Sequence, residues 1–183
     1  MKEKELSLDW IAGFFDGEGS VSISIRKDDR RNHGSYFGFY FDVRIRIGQK
    51  NPEILTKIQR FLGFGFTSGS EFVVRKHDDI KRFIELIGSR SLVKKEEIDL
   101  MAKTIPLLSH RGSVYIPKEN AEKILGIIER LHKIPSRKGK VPYQLLGYAR
   151  QCLANWNESD WRARKSDLAR RGWVTRRELA ACC

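Results

Sequence analysis

Strict alternation of apolar and polar side chains marks two stretches near the start of the chain, residues 20–26 and 36–49. A period of two predicts half-buried β-strands. With the polar segment 27–35 as a turn, the two stretches predict one long antiparallel hairpin with an apolar face and a basic, hydrogen-bonding face. The apolar positions are Val21, Ile23 and Ile25 in the first stretch and Phe37, Phe39, Phe41, Val43, Ile45 and Ile47 in the second.

Most of the remaining hydrophobic pattern has the spacing of amphipathic helices. Ser7 is a predicted N-cap, Pro52 suits a first helical turn, and Asp78 or Asp79 is predicted to cap a later helix. The predicted helices are one from Leu8, then 52–62, one from Asp78 or Asp79 to Gly88, 95–108, one that Pro117 opens, and 145–156, with a short hairpin at 64–76. This order predicts an α+β fold.

The charge balance favours a polyanionic partner. The 183 residues include 35 Lys and Arg against 23 Asp and Glu, for a formal net charge of +12. Such an excess is typical of proteins that bind nucleic acid. An anionic membrane surface is one alternative, and a soluble basic protein is another. The positive charge lies on predicted strands and not on an amphipathic helix, which argues against the membrane.

Cysteine usage and hydropathy bear on the compartment. The sequence has no apolar run of transmembrane length and no signal-peptide pattern. Cys152, Cys182 and Cys183 lack the spacing of a disulfide framework or a Cys-x-x-Cys motif. We therefore expect an intracellular protein of the cytoplasm, nucleoid or organellar matrix that is neither secreted nor bound to a membrane.

The most specific signal lies at residues 11–19, which read Ile-Ala-Gly-Phe-Phe-Asp-Gly-Glu-Gly. The segment predicts a short helix that ends in two carboxylates interleaved with glycines. A carboxylate beside an exposed carbonyl is a hard-oxygen site suited to Mg²⁺. An ordinary amphipathic helix with a glycine-rich end is the alternative. Position by position, the segment resembles the LAGLIDADG motif of the homing endonucleases, with Ile11 in place of leucine.

The resemblance extends over roughly residues 6–155 and implies an αββαββα homing-endonuclease fold. In that fold an antiparallel, saddle-shaped sheet binds DNA and a helical C-terminal extension follows. The expected domains are an endonuclease domain at 1–156 and a basic tail at 157–183, which either forms short helices that contact DNA or is partly disordered. Because one copy of the motif is present, the resemblance implies a C2 homodimer.

The resemblance also implies an activity. We expect a site-specific endonuclease that hydrolyses both strands of double-stranded DNA, at a long pseudo-palindromic target, with Mg²⁺ or Mn²⁺. The start at Met1, without flanking protein-splicing blocks, is expected of an intron-encoded, freestanding protein. The alternative on the same scaffold is a cleavage-inactive RNA-splicing maturase or DNA-binding regulator, and intron RNA would be a partner only of a maturase. The retained acid Glu18 favours the endonuclease.

Site residues are implied by the same resemblance. Glu18 is the catalytic, metal-binding acid, and the carbonyl of Gly17 is its companion ligand. Gln49 is expected to orient the nucleophilic water, and Lys118 to stabilise charge at the scissile phosphate. Some relatives carry an arginine where this chain has residues 51–53, so the water-organising groups are incomplete. The implied dimer interface consists of Ile11, Ala12, Gly13, Phe15 and Asp16, with Asp16 capping the helix end rather than binding metal.

The basic face of the long hairpin is the expected DNA reader, since a two-stranded ribbon fits the major groove of B-DNA. Arg26, Arg44 and Arg46 are expected to donate bidentate hydrogen bonds to guanine. An ordinary solvated sheet face is the alternative. The other predicted DNA contacts are Ser22, Ser24, Tyr40, Lys50 and Arg75.

Overall fold

A computed structural model of the chain describes residues 6–27, 37–108, 116–135, 143–157 and 159. Helices and strands follow one another in the predicted order, which confirms the α+β prediction. The elements are α1 (Leu8–Glu18), β1 (Gly19–Lys27), β2 (Phe39–Gly48), α2 (Pro52–Leu62), β3 (Phe66–Ser68), β4 (Glu71–Val74), α3 (His77–Ile87), α4 (Lys95–Thr104), a 3-10 turn (Ile105–Leu107), α5 (Lys118–Lys133) and α6 (Tyr143–Ala154).

The four strands form one antiparallel sheet in the order β1-β2-β4-β3. The long hairpin pairs from Gly19 with Ile47 to Lys27 with Phe39. Along β2 every second residue is buried, as the alternation predicts. The sheet therefore has one apolar face in the core and one polar face.

The core lies between the apolar face of the sheet and the helices. Phe15 of α1 meets Phe83 of α3 edge to face, with ring centroids 5.1 Å apart. Both side chains are fully buried. Aromatic pairs of this geometry add about 0.5–1.5 kcal/mol beyond their buried area. The contact fixes α1, which carries the motif, against the body of the domain.

Helix ends follow local rules at α1 and α2, where the Ser7 cap is predicted from the sequence and the Asn51 cap is not. The Ser7 hydroxyl accepts a hydrogen bond from the backbone N–H of Trp10 at 3.1 Å, which confirms the predicted cap of α1. Asn51 caps α2 in the same way, through the N–H of Glu53 at 3.0 Å. Gly63 ends α2 in the left-handed region, at φ 73°, where a residue without Cβ is favoured.

Some predicted boundaries are wrong. Helix α3 begins at His77 after Lys76, which makes no side-chain cap, so neither Asp78 nor Asp79 is the N-cap. Both instead lie in the first turn, where negative charge complements the helix dipole. Helix α4 ends at Thr104 and gives way to a 3-10 turn at Pro106, because proline cannot donate the hydrogen bond that would continue an α-helix.

Two sequence predictions fall outside the described residues. These are most of the polar turn at 27–35 and most of the basic tail at 157–183, so they stay predictions. Within the described ranges, none of the helices combines the length and the apolar character needed to cross a bilayer.

Candidate active site and nucleic-acid interface

Glu18 is the last residue of α1 and is exposed. Within the described ranges, no side chain or backbone group forms a hydrogen bond or ion pair with its carboxylate. The last carbonyls of a helix lack partners inside the helix, and the carbonyl of Gly17 lies in this last turn. The structure therefore brings together an unpaired carboxylate and helix-end carbonyls, a donor set that suits a hard divalent cation.

Gln49 lies beside this helix end. Gly19 pairs with Ile47, so the exit of α1 and the residues that follow β2 are neighbours across the hairpin. The backbone N–H of Gln49 donates to the carbonyl of Ser70 at 2.8 Å, and its side-chain Oε1 accepts the N–H of Lys50 at 2.7 Å. The structure thus brings Gln49 to the Glu18 region, and it places Lys50 on the surface.

Asp16 has a different role from Glu18, although only one residue separates them. Its carboxylate accepts hydrogen bonds from the Ser91 hydroxyl and from the backbone N–H groups of Leu92 at 2.8 Å, Val93 at 3.2 Å and Lys94 at 3.2 Å. Partial burial acts to raise the pKa of Asp16, but these hydrogen bonds outweigh it and lower the pKa below the ordinary value. Asp16 therefore fastens residues 91–94 to the motif helix.

Lys94 is the lysine that the structure brings to the motif. Its ammonium donates to the backbone carbonyl of Asp16 at 2.9 Å, two residues before Glu18. The predicted lysine, Lys118, instead begins α5, which packs on α4, α6 and the 3-10 turn. Within the described part of the chain no hydrogen bond or ion pair joins Lys118 to α1. Sequence reasoning missed Lys94 because contacts between residues 16 and 94 leave no local pattern.

The prediction that Ile11, Ala12 and Phe15 form a dimer interface is wrong. All three are at most 1% exposed within a single chain, because they form the side of α1 that packs into its own core. The outward side consists of Trp10, Gly13, Phe14 and Gly17. Trp10 is 40% exposed and stacks on Phe14 with ring centroids 4.9 Å apart. A Cβ built on Gly13 or Gly17 would meet no atom within 4 Å.

The polar face of the sheet carries the predicted DNA-contact residues. Ser22 pairs with Arg44, Ser24 with Asp42 and Arg26 with Tyr40 across the hairpin. All the predicted polar residues of β1 and β2 are exposed or half-buried. Arg46 lies 3.4 Å from Glu71 on β4. Sequence reasoning gave no role to Asp42, which lies among the arginines of this face.

The described residues of a single chain do not complete a metal site from side chains alone. Among the residues that the structure describes, no group of three or more His, Cys, Asp or Glu side chains could hold a metal ion. Glu18 would therefore contribute one side-chain ligand, and other oxygen donors must complete the coordination of any cation there.

Comparison with known proteins agrees with this geometry. A family model described as LAGLIDADG endonuclease matches residues 11–112. The chain belongs to the LAGLIDADG endonuclease family. A curated relative, the intron-encoded DNA endonuclease ai2b of Dictyostelium discoideum, is 39% identical over 66 residues. That match covers 35% of this LAGLIDADG chain and 22% of the relative, so the chain matches about a fifth of that protein's length.

Solved structures of homing endonucleases share the fold. I-CvuI, crystallised with the I-CreI target, has a TM-score of 0.69 at 18% identity, over 81% of this chain and 93% of that one. The archaeal intron-encoded I-Vdi141I, complexed with DNA, has a TM-score of 0.66 at 24% identity, over 81% and 95%. I-TnaI has a TM-score of 0.64 at 22% identity, over 82% and 99%. The homing-endonuclease fold is thereby confirmed.

The Asp16 contacts predict a pH-dependent contribution to stability. A lowered folded-state pKa means that the carboxylate stabilises the fold above its unfolded pKa, about 3.9, and that this stabilisation is lost as the pH falls through the folded value. Asp16→Asn is expected to lower the free energy of unfolding by about 1–3 kcal/mol at pH 7, and the difference should shrink below about pH 4. Urea unfolding at a series of pH values measures both.

Asp9→Asn is the matched control, because Asp9 lies on the same helix in an exposed ion pair with Arg90 at 3.0 Å. It is expected to cost less than about 1 kcal/mol. Equal losses in the two variants, or an Asp16 effect that persists unchanged into acid, would contradict the assigned role.

Proposed function

We propose that the chain is a site-specific DNA endonuclease of the intron-encoded homing type that requires Mg²⁺ or Mn²⁺. One observation carries the proposal. The exposed, unpaired carboxylate of Glu18 lies at the end of the family's motif helix, which runs directly into a sheet whose polar face is rich in arginine. A metal-binding acid and a DNA-binding surface therefore share one continuous stretch of backbone.

Glu18 and the carbonyl of Gly17 would hold the divalent cation, with DNA phosphate oxygens, water and a second copy of the chain as the other donors. A bound cation polarises the phosphoryl oxygen, activates water and stabilises the leaving oxygen. Glu18 fits this role because its carboxylate has no partner among the described residues. Asp16 does not fit it, because its oxygens already accept four hydrogen bonds.

Two further side chains would assist the reaction, one at the attacking water and one at the phosphate. Gln49 would orient the attacking water, since it follows β2 beside the exit of α1 and its NH₂ group has no acceptor among the described residues. Lys94 would supply positive charge where negative charge develops in the transition state. Its ammonium already lies 2.9 Å from the Asp16 carbonyl, and an ammonium can donate up to three hydrogen bonds.

The sheet would bind DNA through its polar face in the major groove. The I-CvuI and I-Vdi141I structures were each determined with DNA, which supports duplex DNA as the ligand here. Arg26, Arg44, Arg46 and Arg75 supply the positive charge of this face in the described residues. We infer that affinity falls steeply with salt, as it does when phosphate contacts release counterions.

The partner of the motif helix would be a second copy of the chain. Trp10, Gly13, Phe14 and Gly17 follow the i, i+3, i+4, i+7 spacing of one helix face, and the two glycines leave open space for the backbone of another helix. A homodimer would also bring two Glu18 residues together and supply the donors that one chain lacks. A C2 arrangement fits cutting of both strands of a nearly symmetric target.

A binding protein without cleavage is the second candidate. It is favoured by the segment after Gln49, where Asn51 and Pro52 begin α2 and no arginine is present to organise water. Tight DNA or RNA binding without cleavage in the experiments below would support this maturase or regulator.

The metal-binding role of Glu18 is tested by Glu18→Gln, which keeps the side-chain shape and removes the charge. Cleavage is expected to fall by at least about 100-fold, since even outer-shell changes at metal sites cost 10- to 100-fold. DNA affinity in Mg²⁺-free buffer is expected to stay within about twofold. The substrate is a plasmid with the uninterrupted allele of the gene beside this reading frame, with and without Mg²⁺. Glu85→Gln, an exposed carboxylate on α3, should cleave normally, and parallel loss of binding and cleavage in Glu18→Gln would make Glu18 structural.

The catalytic roles of Lys94 and Lys118 are distinguished by comparing Lys94→Met with Lys118→Met, both assayed on the same plasmid. Lys94→Met is expected to lower the cleavage rate about 100-fold, as removal of a transition-state charge partner does elsewhere, with binding retained. Lys118→Met should change the rate by no more than roughly twofold. The reverse order of effects would restore Lys118 as the charge-stabilising lysine.

The proposed dimer is tested by Gly13→Leu, which fills the open space on the outward side of α1. Analytical ultracentrifugation is expected to show a dimer Kd raised roughly 5- to 150-fold, because overpacking of an interface costs about 1–3 kcal/mol. The unfolding free energy of the monomer should not fall, since leucine is the better helix former. Gly126→Leu is the control, because Gly126 is an exposed glycine on α5 with equally open surroundings. A dimer unaffected by Gly13→Leu would place the interface elsewhere.

A further inference from the structure

One carboxylate lies among three arginines on the polar face of the sheet. We define the Asp42 cluster as Asp42, Arg26, Arg44 and Arg75. The Asp42 side chain is 10% exposed. Its Oδ2 is 3.6 Å from Nε of Arg26, and its Oδ1 is 3.8 Å from Nη2 of Arg75. This nearly enclosed negative charge, on the polar face of a basic protein, indicates a specific role for Asp42.

Strand register explains how the cluster forms. Asp42 and Arg44 are two residues apart on β2, so they point to the same face. Arg26 of β1 lies opposite Tyr40 of β2, two residues from Asp42 along that strand. Ile45 pairs with Val74 on β4, so the next step along the two strands brings Arg75 beside Arg44. Like charges opposite each other are unfavourable, and Asp42 offsets that repulsion.

Arg44 is held most firmly of the three arginines. Its Nε donates to Asp42 Oδ1 at 3.1 Å, and its Nη2 donates to Oδ2. These hydrogen bonds raise the pKa of Arg44 above its ordinary value. The two bonds fix the plane of the guanidinium as well as its position, because both oxygens of one carboxylate are engaged.

The bidentate contact leaves a defined edge of the guanidinium unused. A guanidinium carries five N–H donors in a rigid fork, and Asp42 uses Nε–H and one of the Nη2 hydrogens. The outer edge, formed by Nη1 and the second Nη2 hydrogen, retains two parallel donors. Two parallel donors match O6 and N7 of guanine in the major groove. The Arg44 side chain is 28% exposed, and none of its nitrogens is among the buried atoms without a partner in the described residues.

Arg46 provides an internal contrast on the same strand. Its carboxylate neighbour Glu71 is reached by one nitrogen at 3.4 Å and is 45% exposed. The Nε of Arg46 is buried without a hydrogen-bond partner among the described residues, so Glu71 engages the Arg46 guanidinium at one nitrogen and does not fix its plane through two bonds. From the sequence, Arg44 and Arg46 have the same predicted role, whereas in the structure two hydrogen bonds to one carboxylate fix only Arg44.

We propose that Asp42 is a positioning residue that orients Arg44 for bidentate recognition of guanine, so that Arg44 determines one base of the target while Arg26, Arg46 and Arg75 contribute affinity with less sequence preference. The proposal rests on the proposed DNA-binding function and adds the residue that sets its specificity. A side chain fixed before binding loses less conformational entropy in the complex. Asp42 also lowers the positive charge of the face, which weakens attraction to DNA of any sequence.

The test is selection of binding sites from a randomised duplex library by the full chain in Mg²⁺-free buffer. Wild type, Asp42→Asn and Glu71→Gln are compared, and affinity for unselected DNA is measured for each. Glu71→Gln is the matched control because it removes one negative charge from the same face. The wild-type consensus is expected to contain a guanine that Asp42→Asn prefers roughly 5- to 150-fold less, the range of a bidentate base contact. Both variants should bind unselected DNA more tightly.

Asp42→Glu serves as a second variant that keeps the charge and moves the carboxylate by one methylene. It should lose the same guanine preference without tighter binding to unselected DNA, and this combination separates orientation from charge. A merely structural Asp42 would weaken all positions of the consensus together. An unchanged consensus in Asp42→Asn and Asp42→Glu overturns the proposal and leaves the endonuclease intact. A wild-type chain that selects no consensus overturns the proposed function itself.

Discussion

The antiparallel pairing of β1 with β2 is the constraint on which the rest of the structure depends. The pair that begins it, Gly19 with Ile47, puts the exit of the motif helix beside the end of β2. The same register lines up the polar side chains on one face. A slip of one residue would turn that face into the core. Because α1 runs into β1 without a loop, and a Cβ on Gly19 would lie 2.1 Å from Cδ2 of Phe15, the acid at the helix end has little freedom relative to the sheet.

Helix α1 divides its functions by position. Ile11, Ala12 and Phe15 join the core, while Trp10 and Gly13 lie on the opposite side. The two carboxylates at the end of α1 also differ in their contacts. Asp16 accepts hydrogen bonds from residues 91–94, so its charge is already compensated. Glu18 lies beyond that network, and its carboxylate has no partner among the described residues. The anchoring of residues 91–94 by Asp16 also holds the Lys94 ammonium at the Asp16 carbonyl, so the contact that stabilises the helix end also places the proposed charge-stabilising lysine there.

Local pattern predicts the elements well and the long-range contacts poorly. Alternation predicts both long strands and their buried face, a serine before an apolar run predicts the cap of α1, and Pro52 predicts the first turn of α2, whose Asn51 cap is not predicted. The Asp78 and Asp79 cap fails because the chain enters α3 two residues earlier than the pattern indicates. Lys94 and the outward side of α1 could not be derived from local pattern, since one depends on contacts 78 residues apart and the other on which face α3 covers. The motif itself indicates Glu18 because its spacing is local.

A basic protein that places an acid among the arginines of its polar face gives up some attraction to DNA. For the proposed site-specific endonuclease, affinity for every other sequence is a disadvantage, because the competing sites in a genome are so numerous. What matters is the ratio between specific and non-specific binding. In our proposal Asp42 raises this ratio in two ways. It lowers the positive charge that attracts the phosphate backbone of any DNA, and it fixes the plane in which Arg44 can donate two hydrogen bonds. Arg46 has a single contact to Glu71 and therefore lacks this two-bond positioning. On one strand, therefore, Arg44 is paired through two bonds with a carboxylate that is 10% exposed, whereas Arg46 meets a carboxylate that is 45% exposed through one contact, and this difference in pairing is what would separate orientation from attraction.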